Sequence, residues 1–318
     1  MITKENLGRL RVLAANLQSA APMSADMLRR VVGEIERGGP LTAFLVDHPE
    51  ANTPLFGVRL LAGMKWLVLT GRAATLVEHL RVLLARGDDP VYRDQTWALW
   101  RQTALGNPVE IRAALDRPVQ QHHPQRARQL LRGLGMLAAP RVRLFELGAC
   151  AGLNLILDRY RWIAPGWEWG DPGSPVRLAT SGPWPGHLDI VERAGCDLLP
   201  RDVNDPGDMT VLRSFLPYES DVMQMEFDDA VALAGRSGVV VEKADSVDWL
   251  ADKLRPRPDT DAYTVVWHSL FWGFLDPAAQ ESITRLLDGA ARRMRLATVR
   301  FEPEVLPGTP RLHVELYS

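Results

Sequence analysis

One stretch of the chain carries residue types at a spacing suited to a nucleotide-like ligand: Arg141-Val-Arg-Leu-Phe-Glu146-Leu-Gly148-Ala-Cys150-Ala-Gly152-Leu-Asn-Leu-Ile-Leu-Asp158. An apolar run ends on an acid, turns through two glycines four apart, and continues as an amphipathic helix. Gly148 lets the chain leave the strand sharply, Gly152 lets helix and ligand come close, and the free N–H groups of a helix start attract an anion. For a dinucleotide that anion is a pyrophosphate. For S-adenosylmethionine (SAM) it is the carboxylate of the methionine part, and Glu146 suits the cationic amino group beside it. Cys150 stands where a dinucleotide fingerprint gains from a further glycine, and no third glycine follows, so the turn favours SAM over NAD. Glu146, Gly148, Cys150 and Gly152 form the expected cofactor-binding turn. The plain alternative is a tight strand-to-helix turn with no ligand.

Further acids fall where such a cofactor needs them. An acid that holds a ribose is expected ~20 residues past the glycine turn, at the end of the second strand. Asp197 follows Gly152 by 45 residues, or by 17 once the 28-residue excursion 160–187 is set aside. Asp202 is its reserve, and a turn-initiating Asp before Leu-Leu-Pro is the alternative. Asp245, trailing Val239-Val-Val-Glu-Lys-Ala, is placed for the adenine amino group or for capping the helix 246–254.

His268 ends the run Thr264-Val-Val-Trp-His268. If that run is the fourth strand, it neighbours the first across the topological switch, and Glu146 and His268 face one crevice. His268 is then either the catalytic base that takes a proton from an acceptor hydroxyl or amine, or a hydrogen-bonded structural histidine. The acceptor would enter between these two residues, under walls from the helical half and the tryptophans of the excursion.

The elements that must position these residues change character near residue 140. From about residue 5 to 137, apolar residues recur at three and four positions (Leu7, Leu10, Leu13, Leu17; Met27, Val31, Ile35), which reads as about seven helices. Ser24 is the expected cap of one helix, Pro54 the first position of another, and Gly71 its terminator. This gives a helical N-terminal domain or cap over 1–139. Over 140–318, short β-rich runs (142–147, 239–242, 263–267, 296–301) alternate with helices, which reads as α/β: a doubly wound, mainly parallel Rossmann-like sheet. Residues 160–187, rich in Pro and Gly and holding Trp162, Trp167, Trp169 and Trp184, break the rhythm as an inserted hairpin or loop.

Composition narrows the classes. With 37 basic and 39 acidic residues the chain carries −2, so nucleic acid and anionic membranes are not the expected partners. Arg117, Arg126, Arg128 and Arg132, with His122 and His123, read as a solvated helical face. Adjacent histidines lack a third ligand, so no metal is expected. Two cysteines, Cys150 and Cys196, read as buried thiols in a reducing cytoplasm, and no apolar run reaches the ~20 residues of a membrane span. The first residues lack the pattern of a secretory signal.

Glu146-Leu-Gly-Ala-Cys-Ala-Gly-Leu-Asn-Leu-Ile-Leu-Asp-Arg-Tyr160, Gly195-Cys-Asp197-Leu-Leu-Pro200 and Val266-Trp-His268-Ser269 resemble the recurring blocks of the bacterial domain-of-unknown-function 2332 family, from about residue 50 onwards. The resemblance implies a class I SAM-dependent methyltransferase-like domain behind a helical region. Two departures stand out. Gln120-Gln121-His122-His123 replaces an expected polar Gln-Thr-Asn-Glu-like segment, and the chain stops at Ser318 before a closing His-Gly-Trp-type strand, which predicts an incomplete antiparallel edge. The expected function is SAM-dependent methyl transfer to a small molecule. The alternatives are a non-catalytic binding protein on the same fold and an NAD-dependent oxidoreductase. No Asn/Asp-Pro-Pro-aromatic block of amine methylation follows the fourth strand.

Overall fold

A computed structural model describes residues 2–86, 90–255, 261–304 and 308–317. The chain divides into two compact units, Met1–Gln121 with Pro206–Gln224, and His122–Asp205 with Met225–Ser318. Beside the boundary expected at 139/140, the division falls at 121/122, and a later segment returns to the helical unit.

That first unit holds α1 (Lys4–Leu17), α2 (Pro22–Glu36), α3 (Thr42–Leu45), α4 (Phe56–Leu69), α5 (Ala74–Arg86), α6 (Pro90–Gly106), α7 (Pro108–Leu115) and, from later in the chain, the helix Pro206–Ser214. Leu28, Phe56, Leu60, Met64, Leu67 and Trp100 are at the centre of its core. Lys65 explains why the later segment belongs here. Its buried ammonium donates to the carbonyls of Leu216 (2.9 Å) and Pro217 (3.1 Å), which replace lost water. Ser24 does not cap α2. The helix starts two residues earlier at Pro22, whose fixed φ suits a first turn, and Glu219 accepts from both Ser24 N–H (2.7 Å) and its hydroxyl (3.1 Å). Pro54 likewise precedes α4 by two residues. Gly71, at φ 74°, does stop α4, and Arg72 N–H bonds back to Leu67 O. Among the described residues no single helix is long and apolar enough to cross a membrane.

The second unit is mixed α/β. Its strands are β1 (Arg141–Leu147), β2 (Arg161–Ala164), β3 (Trp167–Gly170), β4 (Arg177–Ala179), β5 (Asp189–Asp197), β6 (Val241–Lys243), β7 (Tyr263–Ser269), β8 (Leu296–Glu302) and β9 (Arg311–Tyr317). Six of them form one sheet in the order β6-β5-β1-β7-β8-β9, parallel except for β9. Six of the seven residues of β1, and six of β7, are buried, as expected for central strands covered on both faces. The antiparallel edge expected to be cut short holds a full strand: β9 pairs with β8 from Leu296↔Tyr317 to Glu302↔Arg311.

The excursion folds as a separate three-stranded sheet, β3-β2-β4. Trp162 anchors it, fully buried with its indole N–H on Leu157 O at 2.7 Å. The segment after the glycine turn is not the expected amphipathic helix but a kinked 3-10 run, Leu153–Arg159, broken at Ile156 (φ −109°). All five residues from Leu153 to Leu157 are buried, so no solvent face exists to set a 3.6 period.

Candidate functional site

The turn after β1 takes left-handed backbone at Gly148 (φ 70°), Cys150 (φ 52°) and Gly152 (φ 73°). A side chain on Gly148 would lie 2.6 Å from the Phe271 ring. Cys150 lacks a glycine's freedom and is held from outside, because Asp197 Oδ2 accepts its N–H at 3.0 Å and its carbonyl accepts Arg201 N–H at 3.0 Å. Gly152 departs from expectation. A Cβ there would meet Val241 and Val239 side chains at 3.2 and 3.3 Å, so the close approach it permits is to the protein's own valines.

The expected anion cradle at the helix start also fails. Leu153 N–H, the first donor of that run, already gives its hydrogen to His122 Nε2 at 3.0 Å. Burial drops the His122 pKa from 6.5 to about 3, with Arg126 and His123 adding to the shift, so the ring stays neutral and accepting. His122 of the Gln120-Gln121-His122-His123 segment therefore plugs the turn, and His123 caps a short 3-10 helix by accepting Gln125 N–H.

Glu146 is 1% exposed at the end of β1. Its Oε1 accepts from Asn154 Nδ2 (2.6 Å) and Trp267 Nε1 (3.0 Å), while Oε2 and Asn154 Oδ1 are both buried without a partner. Two buried oxygens without a partner call for a polar ligand group or water. Desolvation raises the Glu146 pKa from 4.5 to about 8; the bonds from Asn154 and Trp267 and the charge of Arg126 oppose the rise, and Asp197 adds to it.

Arg126 is a cation of the site, as is Arg201, whose charge acts on Cys150. Burial lowers the Arg126 pKa against the pull of Glu146, Cys150 and Glu302, and its guanidinium makes one long hydrogen bond, Nη1 to Ser269 O at 3.4 Å. Its other donors have no partner among the described residues. Arg126 is half-buried, so the expected solvated basic face holds only in part at this residue.

Asp197, at the end of β5, uses Oδ2 on Cys150 N–H and Oδ1 on Leu199 N–H (2.8 Å), so it builds both turns around it and keeps a lone pair on each oxygen. Asp202 likewise serves a local turn, accepting Asn204 N–H at 2.8 Å. Exposed Asp245 caps the helix Ser246–Lys253, accepting from Val247 and Asp248. Cys150 and Cys196 are buried thiols, and desolvation pushes the second up to about 12. Neither is a nucleophile at neutral pH.

His268 and Glu146 do not face one space. β1 and β7 pair Glu146 with Trp267 and Leu147 with His268, and since side chains alternate, the two lie on opposite faces of the sheet. His268 is buried, stacks on Trp272 (5.3 Å) and bonds through Nδ1 to Glu302 Oε1 at 2.7 Å. Its Nε2 has no hydrogen-bond partner among the described residues. Nor do the tryptophans of the excursion roof this end. Trp169 and Trp184 line an open groove of about 560 Å³ with Asp189, the first residue of β5, whereas Asp197 is its last, roughly 26 Å along the strand.

The structure therefore brings together Glu146, Cys150 and Asp197 with Arg126, Asn154 and Trp267, and sets His268 with Glu302 on the other face. Arg126, Asn154, Trp267 and Glu302 were missed. Glu302 alone had a visible signal, an acid at the end of a predicted strand. Among the described residues no group of three acids, histidines or cysteines could hold a metal.

No curated protein and no solved structure matches the chain. A family model does, over residues 9–318, which reaches back beyond the resemblance seen from about residue 50. The chain belongs to that family, described as an uncharacterized protein conserved in bacteria (DUF2332).

Proposed function

We propose that the second unit binds SAM at the C-terminal ends of β5, β1 and β7 and transfers its methyl group to a small molecule. The observation that carries this reading is the orphaned Glu146 Oε2, buried with Asn154 Oδ1 near a guanidinium that has donors to spare. Once the Glu146 carboxyl gives up its proton these oxygens suit an ammonium group, and a free guanidinium suits a carboxylate, which together match an α-amino acid end. The sheet order supports the same place. Strands run outward on either side of the β1/β7 junction, and crevices beyond the carboxyl ends at such a switch bind ligands.

On this reading Glu146 and Asn154 hold the amino group, Arg126 replaces the helix start as holder of the carboxylate, and the free lone pairs of Asp197 take the ribose hydroxyls. Asp245 stands at the end of β6 toward the adenine. Gly148, Cys150 and Gly152 shape the turn. When bound, SAM supplies an electrophilic methyl group on a sulfonium. The chain's own residues bind, orient and exclude water, and alignment alone accounts for much of such a transfer.

Calorimetric titration with SAM, its demethylated product and NAD tests the reading. Heat with the first two and none with NAD supports it. Binding of NAD alone sinks it. Binding without turnover of any acceptor would favour the non-catalytic alternative.

A further inference from the structure

We propose that Glu302 is a positioning residue that fixes His268 with its proton on Nδ1, so that Nε2 serves as the base for a neutral hydroxyl acceptor. The inference deepens the methyl-transfer reading and rests on it for the acceptor, while the tautomer itself stands on geometry alone.

Glu302 Oε1 accepts Phe271 N–H at 3.0 Å, Trp272 N–H at 3.2 Å and meets His268 Nδ1 at 2.7 Å; Oε2 also accepts Phe271 N–H at 3.2 Å. A carboxylate that already takes two backbone N–H groups presents acceptor oxygens to the ring. The hydrogen between it and the ring therefore belongs to Nδ1, which leaves the lone pair on Nε2. Trp272, stacked at 5.3 Å and 21°, and Phe271, edge-on at 6.0 Å, prevent the ring from turning over. Nε2, on a buried ring walled by aromatic side chains at the end of β7, has no partner among the described residues. This is the arrangement a proton acceptor needs, with one nitrogen spent on orientation and the other unspent.

The acceptor class follows from what a base is for. A carboxylate or thiolate arrives already ionised and gains nothing from Nε2. A hydroxyl must lose its proton, and an amine, which would also use a base, is set aside because no Asn/Asp-Pro-Pro-aromatic block of amine methylation follows β7. As its oxygen bonds to the methyl carbon of a sulfonium donor, the carbon–sulfur electron pair stays with sulfur and the hydroxyl proton moves to Nε2. Charge then shifts from the sulfonium to the imidazolium, next to the Glu302 carboxylate. Aromatic walls suit a flat hydroxyl compound.

The test is nitrogen NMR of the ligand-free full chain with labelled histidine. The expected pattern at His268 is a single tautomer protonated at Nδ1. Glu302→Ala should lose it and give the mixture of a free ring, while Glu302→Gln, which keeps an acceptor oxygen, should retain it. Phenol, as the probe, should shift the Nε2 resonance, and benzoate at the same concentration should not. A wild-type ring protonated at Nε2 overturns the proposal even if the variants fail to fold, and so does an Ala variant that keeps the Nδ1 tautomer in full. Any pattern other than a response to phenol alone overturns the hydroxyl class. Failure of SAM to bind is read separately and leaves the tautomer result standing.

Discussion

If an ammonium group seats against Glu146, binding must expel the proton that burial keeps there. With a pKa of about 8 the carboxyl of the free protein is mostly protonated at pH 7. An incoming cation stabilises the carboxylate, so SAM should release about 0.9 proton per molecule bound at pH 7, on simple titration arithmetic. Affinity should rise roughly tenfold, about 1.4 kcal/mol, between pH 6 and pH 7, because the ionised fraction rises from about 1% to about 9%. That window avoids the ligand's own amino group, which titrates near 8 as α-amino groups do. Calorimetry at pH 7 in two buffers of different ionisation enthalpy reads the released proton directly. Glu146→Gln should abolish both the release and the pH slope. The sign in the absence of ligand is the reverse. A carboxyl raised from 4.5 to about 8 on folding binds its proton more tightly in the folded state, so its contribution to stability is full below pH 4.5 and lost as pH climbs through 8. Thermal melts of the Gln variant should lack that decline. Proton uptake on binding, or a flat affinity between pH 6 and 7, would refute the assignment of the ammonium to Glu146.

Three further outcomes follow from the same geometry. Arg126→Met should weaken SAM by about 1.5–3 kcal/mol, as for a charged hydrogen-bond partner, and leave unchanged the binding of an analogue lacking the carboxylate; equal losses for both ligands would place Arg126 elsewhere. His122, lowered from 6.5 to about 3 in the fold, contributes stability that is full above pH 6.5 and lost as pH falls through 3, so His122→Gln, which can still accept Leu153 N–H, should flatten that acid limb in melts at pH 4 to 6.5. Gly152→Ala should destabilise by about 1–2 kcal/mol through its left-handed backbone, with binding by the folded fraction little changed, whereas a selective loss of SAM affinity would restore the ligand-approach role that Val239 and Val241 now fill.

The parts of this fold that were readable from sequence are those whose neighbours are close in the chain or whose burial is uniform. β1 and β7 are buried on both faces and built around Val142, Leu144, Phe145 and Leu147 and around Val265, Val266 and Trp267, and the excursion announces itself by Pro, Gly and Trp. β5 is different. Most of Asp189–Asp197 is half-buried or exposed, its register slips between Val142 and Arg143 of β1, and Asp189-Ile-Val-Glu-Arg-Ala-Gly-Cys-Asp197 offers no clean run, so only its final acid was found, by counting. The third predicted strand was placed at 239–242, but β6 is only Val241–Lys243, and Val240 is 76% exposed. The segment 206–224 joins the helical unit through a buried lysine that bonds carbonyls 151 and 152 residues away, a pairing no local period encodes.

For the site, the acid and glycines of β1 were visible because the backbone itself demands them. Their partners were not, because each partnership is made across the fold. Glu302 reaches back 34 residues to His268, and Trp267 reaches back 121 to Glu146. The misplaced crevice has the same origin. Strand adjacency was inferred correctly, yet a single residue of register separates His268 from Trp267, and in a pleated strand one residue is the difference between one face and the other. The sheet thereby keeps the two chemistries apart. Glu146, whose carboxyl burial keeps mostly protonated at pH 7, shares a face with Trp267, and the base that would act on the acceptor shares the other with Glu302. If the two acted on one face, the proposed base would sit beside the group proposed to release a proton on binding. On the methyl-transfer reading, register, more than distance along the chain, would make a proton taken from an acceptor at Nε2 a separate event from a proton expelled at Glu146.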